Sequence, residues 1–318
     1  MTWTLFKFMT TFRRVYFHLI LSFLFSILIT PDISSALTCI NTEFLFDVKP
    51  GANQPSDMAI APNGDIYLVD GVNNRVIVLA SDGSWKFDFG SAGKDAGRFV
   101  YPLGIDISRD GKVFIADSGN HRIQVFDLTG KFLYKFNVES ESPKHGSDPV
   151  DIIASELKGY LYVADNENHN IKVYNRKGVL QFKWGTFGEE RGEFRYPGMM
   201  TQNEYNEIFV VDVLNTRAQK FSPFGDYITT VGSWGVRQGN FFRPKGVALD
   251  KNNRVFISDG YMGVLQAFTD MGSFLGVVCK KNKKRVFDYP AGIFIDKNNR
   301  LYVVEMKGNK ITVLKILD

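Results

Sequence analysis

Residues 102–136 read PLGIDISRDGKVFIADSGNHRIQVFDLTGKFLYKF, and this stretch decides the fold. Gly104–Ile107 is a short apolar run, ended by Arg109-Asp110-Gly111. Val113–Ala116 is a second, stopped by Asp117-Ser118-Gly119-Asn120. Arg122–Phe126 is a third, turned by Thr129-Gly130, and the aromatic-rich Phe132–Phe136 is a fourth. Runs of β-branched and aromatic residues broken by Gly, Asp and Asn turns at about 8–12-residue spacing mean successive antiparallel strands.

The unit recurs on both sides. Pro55, Pro102, Pro149, Pro197, Pro244 and Pro290 fall at intervals of 47, 47, 48, 47 and 46 residues. Each is followed by an acid: Asp70, Asp117, Asp165, Asp212, Asp259 and Glu305. The first five acids are followed by a turn glycine: Gly83, Gly130, Gly178, Gly225 and Gly272. Four strands repeated at about 40–50 residues match a propeller blade. No repeat shows sustained helical periodicity, which excludes a solenoid of helix pairs. The expected fold is therefore all-β, a six-bladed β-propeller of four-stranded blades over residues 37–318.

The chain ends show how the ring closes. Asp318 falls where the sixth turn glycine would stand, so blade six lacks its outer strand. Phe44–Val48 resembles the fourth strands Trp85–Phe89 and Phe132–Phe136, and is expected to pair with Ile311–Ile316. Such closure removes an exposed edge. Three interblade connections share Gly-x2-Gly-x3-Gly-x-Phe-x2-Pro, ending at Phe99 and Pro102, Phe194 and Pro197, and Phe241 and Pro244. Glycine permits the positive φ of a tight crossing, and the phenylalanine is expected to plug the seam. A phosphate-cradling use needs a following helix, whereas these loops lead into strands.

With this spacing, and with the run Asp117-Ser118-Gly119-Asn120-His121-Arg122-Ile123-Gln124-Val125-Phe126, the chain resembles the NHL-repeat family. Asp165–Tyr174 is a close second copy, while Asp70–Val78 and Asp212–Phe221 keep the acid, the asparagine and the arginine. The copies at Asp259 and Glu305 are degenerate. The resemblance covers about residues 43–318 and implies a six-bladed β-propeller, though no particular activity.

The bulk numbers narrow the function. Lys+Arg 38 against Asp+Glu 34 gives +4, and residues 37–318 carry 35 against 33. That balance argues against a nucleic-acid partner, which needs a marked basic face. Two cysteines, Cys39 and Cys279, are too few for a disulfide framework or a cysteine-rich metal site. Lys7, Arg13 and Arg14 precede the apolar stretch Val15–Thr30, then Pro31 and the small residues Ser34-Ser35-Ala36. Residues 1–36 read as a signal peptide cleaved after Ala36 or as an uncleaved N-terminal membrane anchor. A lipoprotein site at Cys39 is weaker, because Thr38 stands where a small residue is expected. Basic residues ahead of the apolar run put the repeats outside the cytoplasm, periplasmic or extracellular, with membrane association through the apolar segment.

Strand direction places the interblade crossings and the second–third turns on one face, the channel mouth. The positions after each proline ring it: Ser56, Leu103, Val150, Gly198, Lys245 and Ala291. In the peptide-amidating lyases, the enzymes these repeats most resemble, histidines at this mouth hold zinc. None of the six positions here is histidine. His18 lies in the export signal, His145 in an interblade loop, and His121 and His169 in neighbouring turns. A catalytic zinc wants three converging protein ligands, so no metal site is expected. The six repeated acids are spread round the ring rather than gathered on one calcium, and are expected to bond their own turns. Asp57, Asp151, Arg243 and Lys245 are the candidate ligand-facing residues. Lys280-Lys281-Asn282-Lys283-Lys284-Arg285 is the densest charge run and replaces the glycine crossing between blades five and six. No Ser/His/Asp or Cys/His arrangement and no cysteine/histidine cluster of a ubiquitin ligase precedes or interrupts the repeats. The sequence reads as an exported non-catalytic scaffold, without a cofactor, for a protein, peptide or cell-envelope partner. The alternative is an extracytoplasmic metal-dependent lyase or hydrolase working at the mouth.

Overall fold

The computed structural model describes residues 37–141 and 146–317. The leader or anchor reading of residues 1–36, His145 and Asp318 lie outside the described residues. Blade one is built from Met58–Ile60, Ile66–Asp70, Arg75–Leu79 and Trp85–Phe89. Blade two uses Pro102–Ile107, Val113–Asp117, Arg122–Phe126 and Phe132–Asn137. Blades three to five open at Pro149–Ala154, Pro197–Gln202 and Pro244–Leu249, and each is a four-stranded antiparallel meander. Blade six takes Pro290–Ile295, Arg300–Glu305 and Lys310–Ile316 from the end of the chain.

The N-terminal strand Cys39–Val48 completes it. Its second half pairs antiparallel with the last strand, Val48 opposite Ile311 and Thr42 opposite Ile316, with a bulge between Phe44 and Phe46. The expected closure is therefore present, and the strand does more. Its first three residues, Cys39–Asn41, pair in parallel with Val277–Cys279 of blade five. One strand thus joins blades five and six into a continuous nine-stranded sheet. A disulfide links Cys39 to Cys279 across 240 residues at that junction.

Six apolar cores lie between neighbouring blades, and one of them closes the circle. Ile66, Leu68, Ile77 and Leu79 of blade one pack against Tyr302, Val304, Ile311 and Val313 of blade six. Each blade is sandwiched, so its second strand is buried on both faces, as in Val113–Asp117 and Ile208–Asp212. This explains their near-continuous apolar sequences: full burial of one such side chain contributes roughly 1.5–3 kcal/mol. Phe99, Phe194 and Phe241 are wholly buried at the interblade seams. Gly90, at φ +91, lies so close to the Phe99 ring that a β-carbon there would overlap it. Among the described residues no helix is long and apolar enough to cross a membrane.

Candidate functional site

The six repeated acids are buried and fasten each blade to the crossing that enters it. Asp117 accepts from the Val100 amide at 2.8 Å, from Arg122 Nε at 2.7 Å and from Asn120 and Gln124 side chains. Asp212 repeats the set with the Arg195 amide, Arg217, Asn215 and Gln219. Blade three moves its cation two residues along. Asn170 occupies the arginine position, and the buried Lys172 Nζ reaches Asp165 at 2.6 Å. The acids bond their own turns, as expected. They also hold the crossing amide 17 residues upstream, which turn chemistry alone does not suggest.

The next position in the turn ties a blade to its neighbour. Asn74 Oδ1 accepts from the Tyr101 amide at 2.8 Å, and His169 Nδ1 accepts from the Tyr196 amide at 3.2 Å. His121 Nδ1 meets the Ser147 carbonyl. The two turn histidines are fasteners between blades. Tyr101 and Tyr196, which these turns hold, sit before the repeat proline at φ 47 and 61, and Tyr289 takes the equivalent place at φ 57. A left-handed backbone costs a residue with a β-carbon about 1–2 kcal/mol. Such strain persists only where the surroundings over-determine it.

Two cavities lie along the ring axis. The mouth cavity holds about 660 Å³ and takes walls from all six blades. The six post-proline positions Ser56, Leu103, Val150, Gly198, Lys245 and Ala291 all line it, with Tyr196, Met199, Leu214, Arg243, Tyr289 and Met306. No acid does. The Lys245 ammonium and Arg243 guanidinium have no partner among the described residues. Burial, together with the Arg243 charge, pushes the Lys245 ammonium below its usual range. Exposed aromatics stand on the same face: Tyr101, Phe187, Trp234 and Tyr261 are 62–73% exposed.

Below it, an inner chamber of about 270 Å³ is lined by the innermost strands. Asp57 and Asp151 are here, with Asp106, rather than at the mouth with Arg243 and Lys245. The structure thus divides the four candidate residues between two cavities. Each chamber acid bonds the neighbouring inner strand on one side. Asp57 accepts from the Ile105 amide at 3.1 Å, Asp106 from Ala154 at 2.8 Å and Asp151 from Met200 at 2.6 Å. Glycine makes room on the other side: a β-carbon on Gly104 would lie 2.6 Å from the Asp151 Cα, and one on Gly292 2.5 Å from the Asp57 carboxylate. Burial raises the Asp57 carboxyl to about 7 against the pull of the Met58 and Ile105 amides. Burial likewise raises Asp106 to about 6, and burial plus the Asp57 charge raises Asp151 well above the usual range. Among the described residues no three His, Cys, Asp or Glu side chains converge as a metal site requires.

A closed ring of six four-stranded blades with an axial mouth defines a β-propeller. Residues 99–126, which span the seam phenylalanine to the end of the third strand of blade two, match the NHL repeat model. Over that blade the chain resembles NHL-repeat proteins. It is similar to human NHL repeat-containing protein 3, with 38% identity over 89 residues, 27% of this chain and 26% of that one. It is also similar to the human E3 ubiquitin-protein ligase NHLRC1, with 29% identity over 40% of this chain and 33% of that one. The matched stretches therefore span about a quarter to a third of these relatives. A solved gluconolactonase from Xanthomonas campestris superposes with TM-score 0.63 and 14% identity, covering 84% of this chain and 87% of that one. At that identity the likeness is one of fold.

Proposed function

We propose that this chain is an exported, non-catalytic binding scaffold whose mouth face recognises a protein, peptide or cell-envelope component. The observation that carries the reading is the mouth itself. Two unpartnered cations stand in an acid-free cavity of about 660 Å³, walled by apolar side chains and rimmed by exposed aromatics. Aromatic and arginine side chains are the residue types that dominate binding energy at interfaces. Cations set among apolar walls favour a partner group that carries negative charge on an apolar body. The chamber acids need no catalytic role, because each carboxylate already bonds a neighbouring inner strand. The Cys39–Cys279 disulfide supports an oxidising compartment outside the cytoplasm.

Photo-cross-linking in the producing cell tests this. A benzoylphenylalanine in place of Trp234 should capture one defined partner, and one in place of Lys135, on an outer strand, should not. Reversing the charges with R243E and K245E should abolish the Trp234-position adduct. Equal capture from both positions, or capture that survives the reversal, defeats the reading. Stoichiometric zinc or calcium in the purified protein, tied to turnover of a substrate, would establish the lyase or hydrolase alternative instead.

A further inference from the structure

The charge run between blades five and six folds as a hairpin. Phe274–Lys280 turns back through Lys281 and Asn282 into Lys283–Lys284, with Cys279 opposite Lys284 and Lys280 opposite Lys283. Lys281 and Asn282 both have positive φ, 49 and 59, the geometry of a tight two-residue turn. Lys280, Lys281, Lys283 and Lys284 are all exposed and have no ion pair among the described residues. Unpaired lysines on a short hairpin are presented together.

What holds the hairpin is the start of the fold. The Asn282 amide donates to Asn41 Oδ1 at 2.9 Å, and Asn41 Nδ2 donates to Asn282 Oδ1 at 2.8 Å. Arg285 Nε donates to Thr42 Oγ1 at 2.8 Å. The disulfide fixes Cys39 to Cys279, the residue before Lys280. Two sequence features 240 residues apart, the basic run and the chain's entry into the propeller, are therefore one surface. Exposed Leu37 and Val286 flank it. Only eight residues of sequence lie between Thr30, the last of the apolar stretch, and Cys39.

We propose that this hairpin docks on anionic lipid headgroups, so that the rim at the blade five–six junction is the membrane-facing edge of the propeller. Clustered lysines beside apolar side chains, close in sequence to a hydrophobic segment, carry the chemistry of a polybasic membrane contact. Each lysine near an anionic surface strengthens binding by about fivefold, so four together act over about two orders of magnitude or more. Glu43 and Asp47 are the acids of the adjoining strand, and Asp47 is engaged by Lys310 at 2.8 Å.

The test uses the full chain, expressed with its own amino terminus so that any processing occurs. The protein is mixed with vesicles of phosphatidylcholine alone or with one quarter phosphatidylglycerol, and lysine acetylation is followed by mass spectrometry. Anionic vesicles should slow acetylation of Lys280, Lys281, Lys283 and Lys284 at least fivefold, leaving exposed Lys135 and Lys177 on distant blades unchanged. Neutral vesicles should not, and 0.5 M salt should remove the protection. The variant K280E/K281E/K283E/K284E should lose at least tenfold in affinity for anionic vesicles while keeping its disulfide and melting temperature. Equal protection by neutral vesicles overturns the proposal. So does no protection at all, or tighter protection by a soluble polyanion such as heparin than by lipid. The wild-type footprint alone decides the matter if the variant does not fold.

Discussion

Replacing Cys39 and Cys279 by serine removes a crosslink that spans almost the entire propeller. In the chain-entropy description, closing a loop of 240 residues lowers the unfolded-state entropy enough to contribute about 5.5 kcal/mol at 25 °C. Measured removals of native disulfides cost about 2–5 kcal/mol, and the long loop puts this one at the upper end. The native fold should survive, because Thr42–Val48 keeps its pairing with Ile311–Ile316. The effect therefore lies in the unfolded chain, which expands without its crosslink. Equilibrium urea unfolding of wild type, the double serine variant and the reduced wild type measures it. Stability should fall by about 3–5 kcal/mol while the urea slope rises, since the released chain exposes more surface. A loss below about 1 kcal/mol, with an intact bond verified in the wild type by mass spectrometry, would refute the reasoning. So would a lowered slope.

Two further predictions concern buried charge. Lys172→Met strands the Asp165 carboxylate, which is fully buried, and should cost about 3–5 kcal/mol by urea unfolding. Adding Asp165→Asn should recover part of that loss; a single-variant cost below about 1 kcal/mol would sink the assignment. The chamber acids make stability depend on pH with an unusual sign. Asp57 and Asp106 have folded values raised to about 7 and about 6, so they favour the native state at low pH. That contribution is complete below about pH 4 and is lost as pH rises towards 7, on the order of several kcal/mol in total. Carboxylates held low, such as Asp47 and Glu141, are already ionised in this window and oppose it little. Melting temperature should fall between pH 5 and 8, and Asp57→Asn should flatten the slope. A rising melting temperature over that range would contradict it.

The blade count, the strand positions of blade two and the pairing of Phe44–Val48 with the last strand were legible in the sequence, because turn residues and strand periodicity are local and were repeated six times. Side-chain contacts between repeats were harder to read. Lys172 replaces an arginine two positions away, so its role appears only when both side chains converge on Asp165. Asp57 and Asp151 lie next to mouth-lining positions in sequence, but alternation along a strand sends them into the chamber. Asp106 carried no repeat signal at all, although the glycines facing Asp57 and Asp151 did: Gly104 and Gly292 each stand two residues after the repeat proline, in blades two and six. The disulfide was the least legible feature. Two cysteines 240 residues apart meet only because residues 39–41 step across to blade five before the strand settles into blade six.

That step governs how mechanical load enters the molecule. Tension on the segment preceding Leu37 reaches the covalent bond at Cys39 first and passes directly to Cys279. Residues 40–48 lie beyond the bond and are shielded from the pull while it is intact. Reduction reroutes the same force along the strand, where the ladder to Ile311–Ile316 must bear it. The seam of the circle is then a joint that carries tension under oxidising conditions and a peelable one under reducing conditions.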